Sequence, residues 1–316
     1  MDPSIRVRFP VKAYFPFIYH LYAFVFADSF FIDSVSTRKS DRMIRIGYHI
    51  STAGAIDLAF DRASDIGCNT MQIFISNPRS WTVSKTSAQE RAAFKTKSKS
   101  NNITPVIAHM PYLPNIASSD PVKRAKSIGC LKETATLCDQ LGIDYLVTHL
   151  GSHMGAGKSA GIKNAVNAIN EVECDVGVLL ENEAGQKNSI GSDMHDMAEI
   201  LDSLNIKNKG FCLDTCHAFA VGYDIRNASA TNEIKNILGF DKIKVVHLND
   251  ALYDLGSHRD RHENFGIGFI GLDGFRQFFR EKKLLSKPMI METPGRYDMP
   301  PAEELRMVKY FLEGCR

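Results

Sequence analysis

Several patterns are missing from this sequence, and each absence narrows what the chain can be. No Gly-x-Gly-x-x-Gly turn follows the first apolar run, which argues against a dinucleotide-binding open sheet. The seven cysteines have no zinc-finger spacing, and their close pair is Cys212 and Cys216. An odd number so placed suits reduced thiols rather than a disulfide framework. Net charge is only +2, so any contact with a polyanion must come from a local basic face. There is no low-complexity segment and no repeat of fixed period. The aromatic-rich stretch from Ala13 to Ala27 contains Pro16 and His20 and is too short for a transmembrane helix. No membrane partner is expected.

Residues 1–42 differ in composition from the rest of the chain. Arg6, Arg8 and Lys12 precede the aromatic stretch, Val25-Phe26-Ala27 resembles a cleavage site, and a polar run comes next. Two readings stay open: a targeting segment, or an over-extended start with Met43 as initiator, because a strand begins directly after it. In either case 1–42 is expected to be an extension outside a catalytic domain spanning 43–316.

The composition itself is that of a globular protein with a sizeable core, 44% hydrophobic and 23% charged over 316 residues. From Met43 onward, short β-rich apolar runs alternate with amphipathic helical stretches. The expected strands are Ile44–His49, Met71–Phe74, Pro105–His109, Tyr145–His149, Gly177–Glu181, Gly210–Asp214, Lys244–Leu248 and Pro288–Glu292. Near-continuous apolar runs fit parallel strands buried on both faces. Eight strand–helix units in series predict an α/β fold, a single (β/α)8 TIM barrel with its active site at the C-terminal strand ends.

Those strand ends carry the chemistry. His109, His149, Glu181, Asp214 and Glu292 terminate strands, and His247 lies one residue before the end of the seventh. One polar terminus is an ordinary solvated strand end, but six in register, all imidazole or carboxylate, need a common cause. Packed together they would repel or shift protonation unless cations compensated them. His217 follows Asp214 by three residues, and Asp260 and His262 lie in the loop after the seventh strand. Nine ligands without a thiolate suit Zn²⁺, with Mn²⁺ or Fe²⁺ as substitutes, in an open catalytic site. Cys216 reads better as a packed thiol than as a ligand. Among the other histidines, His49 has either a supporting or a packing role. His153 lies close enough to assist, and His195 and His258 read as surface.

The segments His109-Met-Pro-Tyr112-Leu113, Thr148-His149-Leu-Gly-Ser-His153, Leu180-Glu181-Asn182-Glu-Ala-Gly-Gln186 and Asp214-Thr-Cys-His217, with His247-Leu-Asn-Asp250, Asp260-Arg-His262 and Met291-Glu292-Thr-Pro294, resemble the endonuclease IV family of apurinic/apyrimidinic endonucleases. The likeness runs in order from about Ile44 to the C-terminus. Glu183 departs from it, standing where a small hydroxyl residue is expected. The resemblance implies three zinc ions. His109, His149 and Glu181 would hold the first. Glu181 would bridge to a second, completed by Asp214, His247 and Glu292, while His217, Asp260 and His262 would hold the third. A hydroxide between two ions, its pKa lowered from 15.7 towards about 7, would attack phosphorus in line. Glu181 and Glu292 are the catalytic candidates, Glu292 orienting the nucleophile.

The partner so implied is double-stranded DNA with abasic sites, incised on the 5′ side to leave a 3′-hydroxyl and a 5′-deoxyribose phosphate, with 3′-blocking groups also trimmed. Arg79, Tyr112, Leu113 and Trp81 would enter the minor groove around the lesion. Lys158 and Arg261 are candidate phosphate contacts. A monomer in the cytoplasm, at nucleoid DNA, is expected, or an organelle or nucleus if 1–42 is a targeting segment. The rival reading is a metal-dependent sugar isomerase or epimerase on a related barrel, which would need two ions and a catalytic lysine beside them.

Overall fold

A computed structural model of the chain describes residues 43–295 and 297–316, so the expectations for 1–42 fall outside the described residues. The chain runs through β1 (Ile46–Ile50), α1 (Leu58–Ile66), β2 (Met71–Ile73), α2 (Ala88–Ser100), β3 (Val106–His109), α3 (Pro121–Leu141), β4 (Tyr145–Thr148) and α4 (Lys158–Asn170). It continues through β5 (Gly177–Glu181), α5 (Met194–Asp202), β6 (Lys209–Asp214), α6 (Thr215–Ala220), α7 (Ala228–Leu238) and β7 (Ile243–His247). A two-stranded antiparallel ribbon, β8 (Asp250–Ala251) with β9 (His262–Glu263), interrupts the next loop. Then come α8 (Gly271–Phe278), α9 (Lys282–Leu285), β10 (Met289–Met291) and α10 (Pro301–Gly314). The major strands are parallel and close in the order β1-β10-β7-β6-β5-β4-β3-β2, the (β/α)8 barrel. The β1–β10 pairing excludes the open doubly wound sheet.

Burial explains why the strands lack a polar face. In β5 every residue is buried. Val178 and Leu180 pack outward under the helices, while Leu179 turns into the barrel. The interior layer is Ile107, Val147, Leu179, Cys212, Val245 and Ile290, one residue from each of six strands. Side chains two apart in a strand share a face. Adding two to each of these numbers gives His109, His149, Glu181, Asp214, His247 and Glu292. The six strand-end residues therefore form the next layer up, at the rim where active sites of this fold lie.

Helix ends follow local chemistry. Ser87 and Glu90 form a reciprocal capping box at α2, and Asp120 caps α3 with Pro121 in its first turn. Gly142 closes α3 in the left-handed region, at φ 72°. Gly47 is required by proximity, since a Cβ there would lie 1.8 Å from the Thr70 carbonyl oxygen.

Candidate metal centre

The nine predicted ligands converge. Donor atoms of His109, His149 and Glu181 lie within 4.8 Å of one another, as do those of Glu181, Asp214, His247 and Glu292, and those of His217, Asp260 and His262. The shortest contacts are direct hydrogen bonds, and the longer ones have the spacing of ligands around a common ion. His109 Nε2 stands 3.0 Å and His149 Nε2 3.4 Å from Glu181 Oε2. His247 Nδ1 is 2.8 Å from Glu181 Oε1 and 3.3 Å from Glu292 Oε2. In the third group, Asp260 Oδ1 is 3.3 Å from His217 Nε2 and 3.6 Å from His262 Nε2. Two tetrahedral ligands at about 2.1 Å from zinc are about 3.4 Å apart.

Backbone chemistry aims these groups. Asp214 caps α6, its Oδ1 accepting from His217 N at 2.7 Å, which sets both ligands on one turn and leaves Oδ2 for the centre. Four rings are fixed by oxygens that can only accept. His109 Nδ1 donates to Met110 O at 2.7 Å, His217 Nδ1 to Asn182 O at 2.8 Å, His262 Nδ1 to Glu292 O at 3.2 Å, and His247 Nε2 to Gln72 Oε1 at 2.8 Å. Each ring therefore turns its other nitrogen to the carboxylates, the atom that a metal would take in place of a proton. The buried Nε2 atoms of His217 and His262 have no hydrogen-bond partner among the described residues. These unpartnered nitrogens fit a bound cation.

The electrostatics agree. Burial resists charge throughout, yet His149 and His247 hold Glu181 well below the usual carboxylate range, and His247 does the same for Glu292. Conversely, despite burial, Glu181 and Glu183 push His149 up to about 9. Asp214, Asp260 and Glu181 raise His217, and Cys212, Glu181 and Glu292 raise His247, well above the ordinary imidazole value. The cluster thus gathers protons where cations would otherwise sit.

Around it, a cavity of about 300 Å³ is lined by seven of the nine, all but Asp214 and His247, with Tyr112, Arg261 and Pro294. A larger cavity of about 480 Å³ opens between the loops after β1 and β2 and shares the His49 side, away from the donors. Tyr112 and Leu113 are 65% and 42% exposed, and Arg79 is exposed as well. Tyr112 N donates to Pro78 O at 3.1 Å, tying the two expected DNA loops together. Trp81 is half-buried with Lys126 Nζ 4.6 Å above its ring, so one face already carries a cation. Lys158 pairs with Asp196 at 3.0 Å, whereas Arg261 stays exposed at the cavity mouth. His153 Nδ1 accepts from Gly155 N and Gly157 N within its loop, and His195 is exposed. Cys216 is buried and directs its thiol to Arg261 O at 3.6 Å.

Supporting residues were the part the spacing missed. Asn249 Nδ2 donates to Asp214 Oδ2 at 2.7 Å, and its Oδ1 accepts from Glu292 N at 2.8 Å. Asn182 exchanges two bonds with the Asp214 backbone. Glu183, the departure from the family pattern, sets its carboxylate 3.2 Å from His149 Nδ1. Gln72 is wholly buried among the ligands. Its one signal in the sequence was a carboxamide inside the apolar run of β2.

Comparison with known proteins agrees with this geometry. Residues 60–312 match the family described as xylose isomerase-like TIM barrel. A protein of Methanoculleus marisnigri named "Probable endonuclease 4" is 47% identical over 80% of this chain and 93% of its own length. One of Nitrosopumilus maritimus with the same name is 43% identical over 85% of this chain and 100% of its own. The crystal structure of endonuclease IV from Thermus thermophilus superposes with a TM-score of 0.76 at 30% identity, covering 85% of this chain and 99% of that one. A D-tagatose 3-epimerase-like protein superposes at 0.65 with 17% identity over 85% of this chain and 98% of that one, a likeness of fold alone. Sequence, fold and relatives together place the chain in the endonuclease IV family of xylose isomerase-like TIM barrels.

Proposed function

We propose that this chain is a DNA-repair endonuclease that hydrolyses the phosphodiester bond 5′ to an abasic site and trims blocked 3′ ends, using three zinc ions. The observation that carries this reading is that the nine imidazole and carboxylate ligands fall into three of the four donor groups found, two of them sharing Glu181, beside an open cavity. His109, His149 and Glu181 would hold the first ion, Glu181, Asp214, His247 and Glu292 the second, and His217, Asp260 and His262 the third. Bound there, zinc would supply Lewis acidity to the phosphate and an activated water. Glu292 orients the nucleophile through one carboxylate oxygen while the other is held by Gln72. Water adds to phosphorus, the bond to O3′ breaks, and the proton ends on the leaving 3′-hydroxyl.

Tyr112 and Leu113 fill the space beside the lesion, while Arg79 and Arg261 meet phosphates. An abasic nucleotide has no base to unstack, so it enters the cavity at lower cost than an intact one. The epimerase reading needs a lysine beside the ions, and the described lining contains Arg261 but no lysine.

The decisive experiment incubates the protein with a duplex bearing one tetrahydrofuran abasic analogue, before and after chelation. Incision 5′ to the analogue that is lost on chelation and restored by zinc is expected. An intact substrate strand, with epimerisation of a ketohexose instead, would overturn the reading. The loops give a second expectation. Tyr112→Ala with Leu113→Ala should lower selectivity for abasic over intact duplex about 10- to 100-fold. Arg79→Ala should weaken binding to both alike and flatten the log–log salt dependence by about 0.9. Competition binding at several salt concentrations separates the two.

A further inference from the structure

Gln72 stands between an apolar register partner on one side and His49 on the other. Its register partner across the β2–β3 pair is Ile107, part of the interior layer, and the other strand residues of that layer are Val, Leu, Ile and Cys. A buried carboxamide is costly unless its donors and acceptor are used. All are used here. Oε1 accepts from His247 Nε2 at 2.8 Å, and Nε2 donates to Glu292 Oε1 at 2.7 Å and to His49 Nδ1 at 3.0 Å. The amide can sit only one way round. Turned over, it would set N–H against N–H at His247 and oxygen against oxygen at Glu292.

We infer that Gln72 is a positioning residue of the metal centre, a relay that keeps the His247 proton on Nε2, aims Glu292 Oε2 at the second ion, and keeps the His49 proton on Nε2. With His247 Nε2 committed to Gln72, Nδ1 is left to face Glu181 and Glu292. With one amide hydrogen on Glu292 and the other on His49, His49 Nδ1 accepts and stays unprotonated, although Glu292 Oε1 lies 3.3 Å away and would otherwise accept a hydrogen bond from it. Gln72 thereby prevents His49 from forming an ion pair with Glu292 that would draw this carboxylate off the metal. Such supporting groups typically change metal affinity 10- to 100-fold.

This inference rests on the metal reading above, and the two can fail separately. Zinc per chain is counted after dialysis against graded chelator, and the histidine tautomers are read from long-range ¹H–¹⁵N correlations in the zinc-loaded protein. If the native chain holds no zinc, the metal reading itself fails. If it holds zinc, His49 and His247 should each carry the proton on Nε2, and a proton on His49 Nδ1 overturns the relay whatever any variant does. Gln72→Met, close in volume, should release one ion at about 10- to 100-fold lower chelator strength and move the His49 proton to Nδ1. Gln72→Glu keeps an acceptor for His247 but loses the donors, so the His247 tautomer should persist while that of His49 switches. Unchanged tautomers and zinc content in both variants would overturn the inference.

Discussion

Glu181→Gln is expected to lower incision of an abasic duplex by at least about 10³-fold and to leave one zinc ion of the three proposed for the native chain. Glu181 is the residue common to two donor groups, with Oε2 at 3.0 Å from His109 Nε2 and Oε1 at 2.8 Å from His247 Nδ1. Removing its charge takes the bridging anion from both ions at once, while His217, Asp260 and His262 keep their own set. The side chain is buried at the rim above Leu179, and an amide of the same shape preserves that packing. The fold should therefore survive, and the lost activity should follow the lost metal. Breaking a buried charged set by removing one member costs about 3–5 kcal/mol, consistent with a rate effect of that order. Zinc analysis with single-turnover incision measures both quantities. A variant that retains three ions and near-native incision would show that Glu181 bridges nothing.

The order and type of the barrel elements were legible because the barrel strands are buried on both faces and several of the helices have one apolar stripe. The ends of β3, β5 and β6 fell on His109, Glu181 and Asp214 as expected. β4 stops at Thr148 and β10 at Met291, one residue short of His149 and Glu292. Ligands there sit just past the last ladder bond, where the backbone is free to turn the side chain inward. The short helix α6 and the β8–β9 ribbon did not show as pattern. Both are too brief for periodicity, and both exist to hold ligands: α6 through the Asp214 cap, the ribbon by bringing His262 back beside the rim. Gln72 escaped for a different reason. A single polar residue in a three-residue strand looks like a strand exposed on one side, and only closure of the barrel shows that this side is its interior. The DNA loops remained hardest to read, because exposed aromatic and cationic residues there make few contacts that a local rule could require.

Zinc should raise the thermal midpoint more at pH 9 than at pH 6, by about 5 °C or more. In the metal-free protein the surrounding carboxylates hold His149 at about 9 and His217 well above the ordinary value, and Cys212 with the carboxylates does the same for His247, against the resistance of burial. A group whose folded value is raised contributes stability fully below its unfolded value, near 6.5, and loses it as pH rises through the folded value. For His149 that contribution is at most about 3 kcal/mol, gone above pH 9. The acidic members act in the opposite direction. Glu181 and Glu292 lie well below the usual range, and Asp260, with His217 overcoming the effect of burial, at about 2. Their contribution is complete above about pH 5 and fades only in strong acid. Between pH 6 and 9 the carboxylates are therefore constant and the imidazolium contribution drains away, leaving the bare cluster with uncompensated negative charge. Zinc replaces the protons and binds more tightly as they leave, so both effects widen the gap. Differential scanning fluorimetry in zinc-buffered and chelated samples across this range measures it. A zinc-dependent gain that stays level or shrinks with rising pH would mean that these rings are not protonated in the empty site.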